Sequence, residues 1–215
     1  AEIESLSEDN GTLFATYSRQ DGFLLTSKIA AIDPASNTLD SAVFPGQTTA
    51  GIYENSNSRY NEGMDVALDA GGNIWTARES GGNTQLVQKP LIGAANTINL
   101  PSGETTEDTH PVVSGNVVVV GTDGGASGLA GQVYGFNTTT RASAWGSSYD
   151  LGTNPLNPGA AHNPRGIAVA SDGSVYVGTS QGALHRIDPT TGTGTVFDAG
   201  IGASSNVVGT PDFDT

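Results

Sequence analysis

Gly166-Ile-Ala-Val-Ala-Ser-Asp-Gly-Ser-Val-Tyr-Val-Gly178 joins two short apolar runs through an Asp-Gly turn. The pattern recurs upstream as Gly63-Met-Asp-Val-Ala-Leu-Asp-Ala-Gly-Gly-Asn-Ile-Trp-Thr-Ala77. Looser copies are Ile3-Glu-Ser-Leu-Ser-Glu-Asp-Asn-Gly-Thr-Leu-Phe-Ala15 and His110-Pro-Val-Val-Ser-Gly-Asn-Val-Val-Val-Val-Gly121. Self-similarity at a spacing of tens of residues is the mark of a repeat architecture. Each copy opens a unit of four short antiparallel strands. In the last unit these strands are expected over 166–170, 175–179, 182–188 and 194–198, with turns at Ser171–Ser174 and Pro189–Gly192. Asp-Gly and Pro-x-x-Gly supply the positive φ that hairpin turns need. The outer hairpin recurs as well: Ile187-Asp188-Pro189 is matched by Ile32-Asp33-Pro34, and Val133–Trp145 occupies the same place in the third unit.

The units divide the chain near residues 1–60, 61–108, 109–163 and 164–205. Insertions are expected at Gln20–Leu25, Gln47–Tyr60 and Ser147–His162. No window sustains the i, i+3, i+4 apolar spacing of a helix. Four-stranded antiparallel units set side by side are the blades of a β-propeller, so the fold class is all-β. A sandwich would not yield alignable copies, and a β-helix has shorter rungs. Residues 206–215 read as one more first strand, which either closes the ring or begins a further blade. An unclosed ring exposes strand edges and blade faces. That reading predicts a protein partner or self-association.

Composition narrows the function. The chain has 215 residues, 30 of them Gly, and a net charge of −14 with only two lysines, Lys28 and Lys89. Nucleic-acid affinity rests on Lys and Arg neutralising phosphates, so that class is disfavoured. No run approaches the ~18 apolar residues of a transmembrane helix. The absence of Cys excludes thiolate metal sites and Cys nucleophiles. Low Lys, no Cys and abundant Gly, Thr and Asn fit an exported protein, secreted or periplasmic.

The repeats resemble a broad propeller superfamily. It includes NHL repeats, gluconolactonase/regucalcin-like proteins, virginiamycin B lyase-like proteins and quinoprotein-type repeats. The resemblance rests on Gly166–Val177, on His185-Arg-Ile-Asp-Pro-Thr-Thr-Gly192, and on Gly63…Asn73-Ile-Trp75 followed by Leu100-Pro-Ser-Gly103. It covers most of the chain and implies the fold; the superfamily holds lactonases, lyases, dehydrogenases and binding scaffolds alike. Lactonase-like members carry a metal-ligating Glu beside a Gly where a blade begins, the place of Glu62-Gly63. Lyase-like members use His and Glu near the channel mouth, which points to His110 and His162. No run is assigned to quinone binding.

A propeller gathers the loops that feed its innermost strands around one opening. Here those loops are Arg59–Glu62, Glu104–His110 and Ala161–Arg165. Glu62, Asp108, His110 and His162 are the candidate metal ligands. Mixed imidazole and carboxylate suits Zn²⁺, and carboxylate oxygens suit Ca²⁺. Tyr60, Asn61, Asn163 and Arg165 are candidate ligand-binding residues on the same rim. Trp145, on an outer strand, is expected to be exposed and to serve carbohydrate recognition. His185 is expected to be a packing or surface residue, and Trp75 and Tyr176 share one repeat position used for packing between blades. No phosphate loop, nucleophile elbow or His-Glu-x-x-His is found. Three functions remain: a non-catalytic binding or assembly module, a metal-dependent enzyme of lactonase or lyase type, and a carbohydrate-binding propeller.

Overall fold

The computed structural model describes residues 2–9, 11–21, 24–44, 47, 49–55, 66–80, 83–90, 93–100, 111–123, 131–152 and 162–198. They form four antiparallel sheets, each a blade. Blade 1 contains β1 (Glu2–Asp9), β2 (Thr12–Asp21), β3 (Leu24–Asp33), β4 (Thr38–Leu39) and β5 (Ile52–Asn55). Blade 2 contains β6 (Ala67–Leu68), β7 (Ile74–Ser80), β8 (Asn83–Lys89) and β9 (Asn96–Asn99). Blade 3 contains β10 (Val112–Ser114), β11 (Val117–Thr122), β12 (Gln132–Asn137) and β13 (Tyr149–Asp150). Blade 4 contains β14 (Pro164–Val169), β15 (Val175–Thr179), β16 (Ala183–Ile187) and β17 (Gly194–Asp198). The all-β four-bladed propeller expected from the repeats is the observed fold.

Sequence-adjacent strands pair because the turns between them are chemically specified. The turn after the third strand is built alike in three blades. Asp33, Asn137 and Asp188 each accept, through the backbone carbonyl, a bond of 2.8 Å from the amide four residues on. Their side-chain oxygens accept from the amide two residues on: Ala35, Thr139 and Thr190. The fourth residue then takes positive φ: Asn37 at 55°, Arg141 at 64°, Gly192 at 72°. Asp and Asn favour this turn because a short polar side chain satisfies the backbone locally.

Three expectations are corrected. Gln20–Leu25 is no inserted loop; β2 and β3 run on as a long hairpin, with Asp21 opposite Leu24. Within the Gln47–Tyr60 insertion, Ile52–Asn55 returns to the sheet and pairs with β3 as a fifth strand. The fourth strand of blade 3 lies at Tyr149–Asp150, inside the insertion expected over 147–162, and at Ser143 only an isolated bridge to Phe136 forms.

The core lies between blades. Phe14, Ile29, Ala31, Phe44 and Tyr53 of blade 1 meet Val66 and Ile74 of blade 2. Trp75, Ala77 and Leu86 of blade 2 meet Val118 and Val120 of blade 3. Val119, Val133, Trp145 and Leu151 of blade 3 meet Ile167, Val175, Val177 and Ile187 of blade 4. Alternation sorts each strand's side chains toward one neighbouring blade or the other. Val117–Thr122 is therefore buried on both faces.

Candidate functional site

Each innermost strand is fed from one rim and leaves through a turn at the opposite rim. Of the nine residues expected to form a site, Tyr60, Asn61, Glu62, Asp108 and His110 lie outside the described residues. His162, Asn163 and Arg165 stand together on the feeding rim of blade 4. His162 is held by its backbone: its carbonyl accepts from Gly131 at 2.9 Å and its amide donates to Gly152 at 3.2 Å. Gly131 is required there, since a Cβ would sit 2.6 Å from Pro164 and 2.9 Å from the His162 carbonyl. The Asn163 amide donates to Ser180 Oγ at 3.2 Å, and its carbonyl accepts from the Ser180 amide at 2.8 Å. Arg165 pairs with the buried carboxylate of Asp123 at 3.8 Å.

The His162 imidazole turns inward. It is only 4% exposed, and its Nδ1 lies 3.4 Å from Thr179 Oγ1. Its ring stands perpendicular to that of His185, centroids 5.9 Å apart. His185 in turn meets Tyr149 edge-on, with Nδ1 3.2 Å from the phenol oxygen. Tyr149 belongs to blade 3 and both histidines to blade 4, so the chain of rings crosses the interface between them. The Nε2 atoms of both histidines are buried without a hydrogen-bond partner. Burial disfavours imidazolium, and each imidazolium would repel the other. Burial lowers the His162 pKa; burial and then the His162 charge push that of His185 down to about 4. Burial, with Asp150 adding repulsion, raises the Tyr149 pKa.

His185, expected to pack or to lie at the surface, is a buried packing residue. Cross-strand register is the signal that places it: His185 faces Val177 and lies two residues from Ile187, on the side turned to blade 3. Asp123 and Tyr149 were not among the expected site residues. Asp123 directly follows β11 on the feeding rim.

Trp145 is corrected. It is 4% exposed, and its indole Nε1 donates to the Pro189 carbonyl at 2.8 Å across the blade 3–blade 4 interface. Gly135 and Gly192, one from each blade, form its slot, for a Cβ at either would collide with the ring. Trp75 keeps its expected packing role. Its Nε1 donates to Asp69 at 2.9 Å. Burial alone would raise the Asp69 pKa, but bonds from Asn73, Trp75 and the Gly71 amide outweigh it and hold the carboxyl low.

Among the described residues, no group of three or more His, Cys, Asp or Glu side chains is arranged to hold a metal ion. On the opposite rim, a groove of about 770 Å³ lies between blades 3 and 4, lined by Ser114, Asn116, Asp172, Arg186, Asp188 and Thr190 among others. There Arg186 bonds Asp172 at 2.9 Å and Ser174 at 2.8 Å. No described helix is long and apolar enough to cross a membrane.

No family model matches the chain, and no curated protein sequence matches it. Solved structures do. BamB from Moraxella catarrhalis aligns at 18% identity and a TM-score of 0.50, over 88% of this chain and 46% of its own. The quinohemoprotein alcohol dehydrogenase from Comamonas testosteroni aligns at 17% identity and a TM-score of 0.58, over 91% and 35%. TolB from Acinetobacter baumannii aligns at 12% identity and a TM-score of 0.52, over 86% and 40%. The chain thus spans less than half the length of each. At these identities the likeness is one of fold, and it places the chain among β-propeller repeat proteins.

Proposed function

We infer that this chain is a non-catalytic propeller module that binds or assembles with protein, in an exported setting. The observation that carries the reading is the exposed apolar surface of blade 1, where Leu6 is 57% and Leu39 39% exposed. Exposed large apolar side chains grouped on one sheet face mark a contact surface. Asp69 is bonded to Trp75 within blade 2, and His162 and His185 lie with Tyr149 at the blade 3–blade 4 interface. Among proteins that share the fold, BamB and TolB stand beside an alcohol dehydrogenase, so the likeness is compatible with this reading without selecting it. Export rests on the acidic, Lys-poor, Cys-free composition.

A second reading is a metal-dependent enzyme with Glu62, Asp108, His110 and His162 around a Zn²⁺ or Ca²⁺ ion at the channel mouth. It is favoured by the place of His162 on the feeding rim and by its unpartnered Nε2. Native mass spectrometry before and after chelation, with a lactone turnover assay, separates the two. Mass unchanged by chelator and no turnover support the binding module. One chelator-sensitive ion per chain with lactone turnover replaces it by the enzyme.

A further inference from the structure

The geometry points to a second copy of this chain as the partner of the two outer blades, docked head to tail: blade 4 of one copy against blade 1 of the other. This rests on the assembly reading and names its partner. The cross-strand register lets the four blades be compared position by position. On the face each blade turns to its successor stand the pairs Phe14/Ala31, Trp75/Gln88, Val119/Gly135 and Tyr176/Arg186. On the opposite face stand Leu13/Ile32, Ile74/Lys89, Val118/Phe136 and Val175/Ile187.

Where a neighbouring blade is present, the second-strand members of the pairs are shut, while the third-strand partner Phe136 stays half-buried. Phe14, Trp75 and Val119 are at most 1% exposed, and Ile74, Val118 and Val175 are at 0%. At the two ends they are not. Tyr176 is half-buried and Arg186 exposed on blade 4; Leu13 and Ile32 are half-buried on blade 1. Leu6 pairs with Ala15 and Leu39 with Ile32, so the exposed leucines lie on this same outer face of blade 1. The described residues form three inter-blade cores for four blades, and none joins blade 4 to blade 1. Blade 4 therefore repeats the forward face of an inner blade and blade 1 the rearward face. A second copy carries the matching half of each.

A polar contact repeats along with the apolar one. Gln88 of blade 2 donates to the Thr138 carbonyl of blade 3 at 2.7 Å. Trp145 of blade 3 donates to the Pro189 carbonyl of blade 4 at 2.8 Å. Both acceptors immediately follow the Asp or Asn that builds the shared turn. In blade 1 that position is Pro34, exposed beside Asp33. Arg186 holds the register position of Gln88, and its guanidinium is set in place by Asp172 and Ser174. An Arg docking on an Asp-Pro turn gives the joint charge complementarity, which fixes orientation and register. The two faces differ, so the contact is heterologous, and a two-chain ring is the smallest assembly that covers both faces of every copy.

Sedimentation equilibrium of the 215-residue chain tests this, with a mass of twice 21.8 kDa expected. Two variants test the polarity. Leu6→Arg/Leu39→Arg blocks only blade 1, and Arg186→Glu blocks only blade 4. All three are exposed side chains, and each variant should keep the parental circular dichroism. Each alone should sediment mainly as a monomer, weakened at least tenfold, and an equimolar mixture should restore a one-to-one pair through the two intact faces. A monomeric parent overturns the inference, as does an Arg186→Glu chain that stays fully dimeric or a mixture that restores nothing. A monomer without turnover leaves the binding-module reading standing, with the faces covered by another protein or by residues 199–215. Chelator-sensitive turnover is what removes that reading.

Discussion

At the residue scale, Asp69 shows how one side chain organises a blade. It accepts from the Gly71 and Asn73 amides, from Asn73 Nδ2 and from Trp75 Nε1. The β6–β7 turn is thereby tied to a fully buried indole at the blade 2–blade 3 interface. Trp75→Phe keeps most of the apolar volume and removes one donor from a buried carboxylate. A buried charged acceptor that loses a partner costs about 1–3 kcal/mol. Urea unfolding of Trp75→Phe should show a lower midpoint with an unchanged slope; an unchanged midpoint would mean that the indole bond contributes nothing net. Gly135 makes the complementary case. Gly135→Ala places a methyl where the Trp145 ring lies, so the indole must leave its slot and lose Pro189. Overpacking of this kind costs about 1–3 kcal/mol. A lower melting temperature and a loss of near-ultraviolet circular dichroism from Trp145 are expected.

At the scale of elements, the legibility of each strand followed its turn chemistry. β15 and β17 lie at Val175–Thr179 and Gly194–Asp198, as read from the sequence, because Asp172-Gly173 and Pro189–Gly192 specify their turns. β13 was misplaced because Trp145 folds inward and delays the strand. Its slot needs Gly135 and Gly192 from different blades, which no local pattern displays. The position of His162 on a feeding loop was legible, while its contact with His185 depends on the register of β15 and β16. That contact carries a pH prediction. An unfolded His takes up a proton below about pH 6.5, whereas folded His185 resists until about pH 4. Within that window the unfolded chain binds more protons, so stability falls as pH falls. It is complete above about pH 6.5 and drops by about 3 kcal/mol from His185 by pH 4, at 1.36 kcal/mol per pH unit. His162 adds in the same direction. The carboxyls of Asp69 and Asp172 are held low, so their loss begins only below about pH 4. His185→Leu should flatten the dependence of the urea midpoint between pH 6.5 and 4. A variant as acid-sensitive as the parent would refute the assignment.

At the scale of the whole molecule, stability is a sum of blade terms and of the interfaces between blades, as in other repeat arrays. Blades 2 and 3 are covered by a described neighbour on both sides; blades 1 and 4 are covered on one. Opening an outer blade breaks one apolar interface, and opening an inner blade breaks two, so amide exchange should rank the blades. In the Leu6→Arg/Leu39→Arg chain, amides of β7, β8, β11 and β12 should be the slowest to exchange, because their hydrogen bonds open only when two interfaces part. Amides of β2, β3, β15 and β16 should exchange faster, by a factor set by the missing interface. In the parent chain the same outer amides should slow as concentration rises, since association lends them the interface they lack and stabilises by mass action. Inner-blade amides should change less, as their local openings already sit near the global limit. Protection that is uniform across the four blades, and independent of concentration, would mean that the outer faces are covered within a single chain.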